Sequence, residues 1–305
     1  MIIGLGCIAY DRVLFTNAMW EDGKGRIQRT ETRFGGNVRT ALTAAAGLEA
    51  ETAYLATVSS ESEWDNVLDD LVQHDVGTQF VARAPGAHPA LSTIVVTRDG
   101  DRFIAYDDSS LANTPLPSPD VVERALSQAT VLMVDASTAP PGSIDVMASA
   151  LSRGIPVVLD AEREAPDTDI VDQLIAMADH PILPLNFARQ VTGCTEPADI
   201  IAALWKGGQG AVVLTDGANG AYARCFDVEG VAHVPAFAVD AVDTVGCGDV
   251  FHGAYAVGLD RGLATIARIR LANAAAAIVA ATPSGTSRIP RGDAVADLLN
   301  GGALG

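Results

Sequence analysis

"DTVGCGDVFHGAY", residues 243–255, is the stretch on which the reading of this chain turns. Gly246, Cys247 and Gly248 lead into Asp249 and then into small and apolar residues. A helix N-terminus carries unpaired backbone N–H groups and the positive end of the helix dipole, so it attracts anions. Glycines there let a phosphate approach the backbone without side-chain obstruction. An acid just inside such a helix stands beside the bound anion and can take a proton from a hydroxyl attacking it. Cys247 contributes its N–H to this arrangement, and its thiol need not react. Taken alone, Gly-x-Gly-Asp also fits a tight loop-to-helix turn with an early-turn acid, because a lone glycine pair is a weak signal.

The rest of the chain narrows the choice. With 305 residues there is room for one large α/β domain and an appendage. Hydrophobic residues make up 49% and aromatics only 5%, so the core is built from Ala, Val, Leu and Ile. That suits buried strands under close-packed helices. A net charge of −18 repels nucleic acid and anionic membranes, and neither is an expected partner. The most apolar stretch, "LANAAAAIVAATP", is too short for a membrane span. Cys7, Cys194, Cys225 and Cys247 are scattered, with no CxxC pair and no histidine at zinc-ligand spacing. A reduced cytoplasmic protein without structural zinc is the economical reading. "MIIGLGCIAYD" lacks a basic n-region and reads as a first buried strand, not a signal peptide.

Short apolar runs alternate with helix-period stretches. "IIGLGCIA", "TAYLATV", "VLMVDA", "PVVLDA", "PILPL" and "AVVLTD" predict strands. "NVRTALTAAAGL", "WDNVLDDLVQHD", "IDVMASALSR" and "IVDQLIAMAD" predict helices, and three more close the chain at 248–260, 263–281 and 292–299. This rhythm predicts a mainly parallel sheet covered on both faces. Residues 12–33 and 91–108 break it with polar–apolar alternation, the second around a turn at Asp99-Gly100-Asp101. They predict a small β-sheet lid, 12–33 plus 91–108, on a core of 1–11, 34–90 and 109–305. Two ordinary surface hairpins are the alternative.

"DTVGCGDVFHGAY" is similar to the DTxGxGDxFxGA signature of the ribokinase-like (PfkB) carbohydrate and nucleoside kinases. The resemblance implies a three-layer α/β/α domain with a mainly parallel central sheet and a small β-sheet lid. It implies an anion hole at Gly246, Cys247 and Gly248, and Asp249 as catalytic base. Asp243 lies where some members hold a monovalent cation such as K⁺. "FGGNVRTALTAAAGL" (34–48) resembles the sugar-side motif, which assigns Gly35, Gly36, Asn37 and Thr40 to the acceptor, with Asp11 as the sugar-hydroxyl acid. "VLTDGANGAY" (213–222) is similar to the nucleotide loop, with Thr215, Gly217 and Gly220. "LANAAAAIVAATPSG" (271–285) resembles the adenine-side helix and its loop, with Asn273 and Gly285. ATP and Mg²⁺ are the implied partners of a small sugar or sugar-derivative acceptor. Four motifs in the family's order, from residue 4 to about 290, make this a specific signal.

Departures accompany the likeness. The family's Asn-x-x-Glu, which organises the magnesium-bound phosphates, falls in "PILPLNFARQVTG". Counted back from Thr192-Gly193, its Glu position is Phe187 and its Asn position Pro184; counted forward from Asn186, the Glu position is Arg189. Glu162 in "VVLDAERE" is the candidate substitute, with a solvated loop acid as the alternative. Thr40 stands where the motif often has a second Asn, and a hydroxyl still hydrogen-bonds a sugar. "WEDGKGR" before "GGN" resembles the ketohexokinase branch, with Asp22 as its lid acid. "GDVFHGAY" and "SGTSRIP" look closer to bacterial sulfofructose-kinase-like enzymes. Lys24, Arg26, Arg29, Arg33 and Arg39 are either a lure for an anionic sugar or, more commonly, the solvent face of an edge strand. His252, one turn beyond Asp249, reads as a packed helix residue or a substrate contact. A nucleoside kinase of the same fold and a non-catalytic sugar or nucleotide sensor are the rival functions. A dinucleotide-binding oxidoreductase fails because "YDRVLF" replaces the glycine-rich turn after the first strand. An exposed lid face predicts a homodimer through the lid.

Overall fold

The computed structural model describes residues 1–17, 24–98, 102–107, 109–111, 114–162, 168–283 and 288–302. Its strands are β1 (Ile2–Leu5), β2 (Ala9–Thr16), β3 (Arg29–Gly35), β4 (Thr52–Ser59), β5 (Val76–Ala84), β6 (Ala90–Thr97), β7 (Arg102–Asp107), β8 (Val131–Asp135), β9 (Val157–Asp160), β10 (His180–Pro184), β11 (Ala211–Thr215), β12 (Ala221–Cys225) and β13 (Val228–Val234). Its helices are α1 (Asn37–Gly47), α2 (Asn66–Gln73), α3 (Pro119–Gln128), α4 (Ser143–Ser152), α5 (Thr168–Met177), α6 (Leu185–Thr192), α7 (Pro197–Leu204), α8 (Cys247–Asp260), α9 (Thr265–Ala281) and α10 (Gly292–Leu299).

Alternation along the buried strands creates two cores, because successive side chains point to opposite faces of a sheet. Ile2, Tyr54, Met133, Val158 and Ile182 face one side, beneath α1, α8 and α9. Ile3, Leu5, Leu55, Leu132 and Leu159 face the other, beneath α3 to α7. The large sheet runs β13-β12-β11-β10-β9-β8-β1-β4-β5. Its pairs are parallel from β11 to β5, while β12 and β13 add an antiparallel edge. The chain is thus a three-layer α/β/α sandwich.

A second sheet, β3-β2-β6-β7, holds the two segments that break the strand–helix rhythm. Its middle pair, β2 with β6, is parallel, so two antiparallel ribbons lie side by side. The Asp99-Gly100-Asp101 turn lies outside the described residues, as do Trp20 and Asp22. The structure corrects one expectation here. Asp11 does not end the first strand: β1 stops at Leu5, and Asp11 lies within β2, paired with Arg33 on one side and Ser92 on the other. The small sheet therefore begins at Ala9 and reaches Gly35, so it contributes acceptor-side residues itself.

Close packing joins the layers. A β-carbon on Gly4 would meet Val38 and Leu42 of α1, and one on Gly253 of α8 would collide with the Ala41 carbonyl. Both glycines let α1 settle between β1 and α8. No helix among the described residues is long and apolar enough to cross a membrane.

Candidate active site

The C-terminal ends of β8 and β9, the start of α1 and the start of α8 converge opposite the small sheet. Between them lies a cavity of about 950 Å³ whose walls include Asp11, Asn37, Thr40, Glu162, Gly246 and Asp249. Ligands of open α/β sheets bind in this position, outside the carboxyl ends of the strands.

Gly246 caps α8 in the left-handed region, at φ 77°. That conformation costs an ordinary L-residue about 1–2 kcal/mol. Gly248 follows in the first turn, and a β-carbon built on it would meet nothing. The helix N-terminus is thereby left unobstructed for an anion. Cys247 Sγ turns away toward the Ala276 carbonyl, 3.6 Å distant. Asp249 lies in the same first turn. Burial, then the negative charges of Glu162, Asp135 and Asp11, hold its carboxyl well above the usual carboxylate range. A carboxylate so placed is a stronger proton acceptor than one in water.

Behind Asp249 the strand ends carry more acids. Asp135 and Asp160 are register partners on β8 and β9, and both are buried. Asp135 is held by Ser137 N at 2.8 Å and Thr138 Oγ1 at 2.5 Å. Asp160 is pushed well above the ordinary range by burial and then by Asp135, Glu162 and Asp249. Asn37 offsets part of this repulsion, lowering the Asp160 pKa, and donates to Glu162 Oε1 at 2.9 Å. His252 points inward, with Nδ1 2.7 Å from the Gly248 carbonyl and Nε2 3.5 Å from Asp160 Oδ1. Burial lowers its pKa, which fits a packed neutral ring rather than a substrate contact.

The small sheet forms the opposite wall. Burial raises the Asp11 pKa, against the lowering influence of Arg33, Ser92 and Arg39. A β-carbon on Gly35 would strike the Asp11 carboxylate, and one on Gly36, at φ 101°, would meet the Cys7 carbonyl at 2.7 Å. Both glycines admit the chain to a crowded corner. Three of the five basic residues of this region have carboxylate partners. Arg39 is bidentate on Asp70, at 2.9 and 2.8 Å, Arg29 pairs with Glu31, and Arg33 lies 3.8 Å from Asp11. Arg29 and Arg33 lie on the edge strand β3, whereas Arg39 belongs to α1, where its pair with Asp70 is largely withdrawn from water.

Two metal expectations meet different fates. Phe187 is buried in the apolar core, and Arg189 bonds Asn186 Oδ1 and the Thr195 carbonyl. Glu162 alone among the substitutes considered brings a carboxylate to the cavity wall. One carboxylate fits Mg²⁺, which commonly keeps several waters and takes further oxygens from phosphates. Asp243 does not fit a monovalent cation. Its Oδ2 accepts from Arg288 Nη1 at 2.9 Å and its Oδ1 from Val245 N at 2.9 Å. A guanidinium already neutralises that carboxylate.

A family model, pfkB family carbohydrate kinase, matches residues 1–291. This chain belongs to the PfkB carbohydrate kinase family. It is 27% identical to the ATP-dependent ribose-1-phosphate kinase of Halopiger xanaduensis, over 98% of each chain. It is 25% identical to the ribokinase of Haemophilus influenzae, over 94% of each. The structure of Arabidopsis thaliana ribokinase complexed with ribose and ATP superposes with a TM-score of 0.84 at 20% identity, covering 98% of both chains. A Burkholderia thailandensis nucleoside kinase in complex with inosine gives 0.77 at 18% identity, covering 99% of this chain and 96% of that one. The fold is ribokinase-like, and the chain is an ATP-dependent sugar or nucleoside kinase, a phosphotransferase with an alcohol acceptor.

Within this kinase the motif residues fall on and off one cavity, with Cys247 and Gly248 in the first turn of α8, and Asp243 before it, off its walls. Asp11, Gly35, Gly36, Asn37, Thr40, Glu162, Gly246 and Asp249 share the one cavity. Thr215, Gly217, Gly220 and Asn273 stand outside its walls, where β11 ends and along α9. Gly220, at φ 95°, is required because a β-carbon would collide with the Val234 carbonyl, whereas Gly217 faces open space. Asn273 is buried and donates to the Val234 and Pro235 carbonyls at 3.3 and 3.2 Å. Its observed part is to clamp that loop. Gly285 lies outside the described residues. Sequence reasoning missed Ser92, Tyr106 and Arg288 on the cavity wall. Alternation in β6 and β7 was the available signal for the first two; nothing local marks Arg288.

Proposed function

We propose that this kinase transfers the γ-phosphoryl group of ATP to a hydroxyl of a neutral sugar, with Asp249 as the general base. The observation that carries this reading is Asp249 in the first turn of α8, beside an open helix N-terminus and across one cavity from Asp11 and Asn37. Asp11, Asn37 and Thr40 orient the acceptor through its hydroxyls. Asp249 takes the proton of the attacking hydroxyl as its oxygen bonds to the γ-phosphorus and the bond to the bridging oxygen of ADP breaks. Backbone N–H groups of 246–248 stabilise the charge on the transferring oxygens. Thr215, Gly217, Gly220 and Gly285 border the nucleotide, with Asn273 shaping its loop. Glu162 holds Mg²⁺, which supplies charge neutralisation to the triphosphate. The small sheet, with its strands Ala9–Thr16, Arg29–Gly35, Ala90–Thr97 and Arg102–Asp107, closes as a lid and excludes water.

A neutral acceptor follows from the pairing of Arg29, Arg33 and Arg39 with carboxylates. A nucleoside acceptor is the second reading, favoured by Tyr10, Phe34 and Tyr106 on the cavity wall, since aromatic faces stack on bases. Leu91 and Phe103, exposed on the small sheet, support a homodimer through the lid. The scattered cysteines, with no CxxC pair, accord with a cytoplasmic setting.

The test is magnesium-dependent ADP release with ATP and a panel of pentoses, ketoses, sugar phosphates, sugar acids and nucleosides. Turnover with neutral sugars supports the main reading, and turnover restricted to nucleosides the second. Turnover restricted to anionic sugars overturns the neutral-acceptor proposal.

A further inference from the structure

A guanidinium tethers the glycine loop that leads into α8. Arg288 Nη1 donates to Asp243 Oδ2, and Nη2 donates to the carbonyl oxygens of Asp243 and, at 3.1 Å, of Val279. Val279 lies in the last turn of α9, whose terminal carbonyls form the negative end of the helix dipole. The neighbouring Ala280 carbonyl accepts the N–H groups of Val242 and Asp243, at 2.8 and 3.1 Å. Asp243 Oδ1 accepts from Val245 N, one residue before the left-handed Gly246. The Arg288 and Asp243 side chains are each only 14% exposed, so the pair is mostly withdrawn from water.

Three oxygens from two segments thus converge on one positive charge. A carboxylate and backbone carbonyls are also the donors an alkali cation takes. We infer that Arg288 is the fixed cation of this enzyme, a positioning residue that holds 243–246 in place, and that phosphoryl transfer requires no monovalent metal ion. The inference rests on the proposed role of that loop as the anion hole. Arginine stays charged across the working pH range and binds in a fixed fork, whereas an alkali ion exchanges with solvent. It acts through the loop, since its Nη1 and Nη2 groups bond Asp243 and Val279, not a reacting group.

The experiment compares wild type, Arg288→Ala and Arg288→Lys in Na⁺, K⁺ and tetramethylammonium at constant ionic strength. Turnover with the best acceptor and the melting temperature are both read. Wild type is expected to show the same kcat and the same Tm in all three salts. Arg288→Ala is expected to lose about 10–100-fold in kcat, as loss of an outer-shell support commonly does, with little change in acceptor KM. K⁺ or millimolar guanidinium then restores part of that loss and raises the Tm of this variant but not of wild type. Arg288→Lys keeps the charge and is expected to fall between them; it carries the comparison if the alanine variant does not fold. Activation of wild type by K⁺, or a K⁺-specific rise in its Tm, overturns the inference. So does a kcat loss in Arg288→Ala that no cation reverses. If no acceptor is phosphorylated, the functional proposal fails, while the salt dependence of Tm still judges Arg288.

Discussion

Gly253 of α8 packs directly on Ala41 of α1, so closely that a β-carbon on the glycine would overlap the Ala41 carbonyl oxygen. The contact fixes Asp249, one turn earlier on α8, relative to Asn37, one turn earlier on α1. Gly253→Ala is expected to force the helices apart at a cost of about 1–3 kcal/mol, the usual range for overpacking. A displacement of this kind can lower turnover about 100-fold without touching a reacting group. Thermal unfolding and kcat, measured together, check both parts. A variant with unchanged Tm and kcat would show that the helices accommodate the methyl group.

Asp249→Asn keeps the side-chain shape and removes the base. Turnover is expected to fall by about 10²–10⁴-fold, the range for loss of a general base. Nucleotide affinity, read by calorimetry, should stay near the wild-type value. Near-normal turnover would remove Asp249 from the mechanism.

The same carboxyl sets the pH dependence. Its pKa is raised by burial and then by Glu162, Asp135 and Asp11, and the base acts only when deprotonated. Activity should therefore fall with decreasing pH along a limb that lies above the ordinary carboxylate range. Glu162→Gln removes one negative neighbour and lowers the Asp249 pKa, so the limb should move to lower pH. Its position, not the height of the profile, is the readout. A limb that stays put would mean Glu162 does not act on Asp249.

Arg39 and Asp70 form a half-buried bidentate pair linking α1 to α2. A double-mutant cycle with Arg39→Ala and Asp70→Ala should return a coupling of about 1–3 kcal/mol in unfolding free energy, as expected for directly bonded groups. The acceptor KM should change little in the double variant if the acceptor is neutral. A large rise in KM with negligible coupling would make Arg39 a substrate anchor.

Much of this molecule was legible because its signals are local. The runs at β1, β4 and β8 to β11 are buried strands, and α8, α9 and α10 begin and end within two residues of their predicted bounds. The glycines and Asp249 mark a helix start, and α8 does begin at Cys247, with Gly246 as its left-handed cap. Other elements carry weaker local marks. β5, reading "VGTQFVARA", is a half-exposed edge with two buried side chains, and β12 and β13 form the antiparallel edge that a mainly parallel sheet leaves room for but no run of residues announces. Helix α6 begins at Leu185 inside a segment read as the end of a strand. Asp11 was misplaced by a strand because the sequence does not mark the break after Leu5. Arg288 was illegible for a different reason: its partner Asp243 lies 45 residues away, and no periodicity encodes an ion pair across that distance.

The parallel pairing of β2 with β6 has a consequence for how this enzyme can change. It sets Asp11 beside Ser92, and β6 in turn carries Tyr106 of β7 opposite Ser92, so cavity-lining groups follow one another across the small sheet. Gly246 and Asp249, on the same cavity, belong to the start of α8, which packs in the core on the large sheet. Substitution at Ser92 or Tyr106 can therefore alter one wall of the cavity without touching the core that holds α8 and α1 on the large sheet.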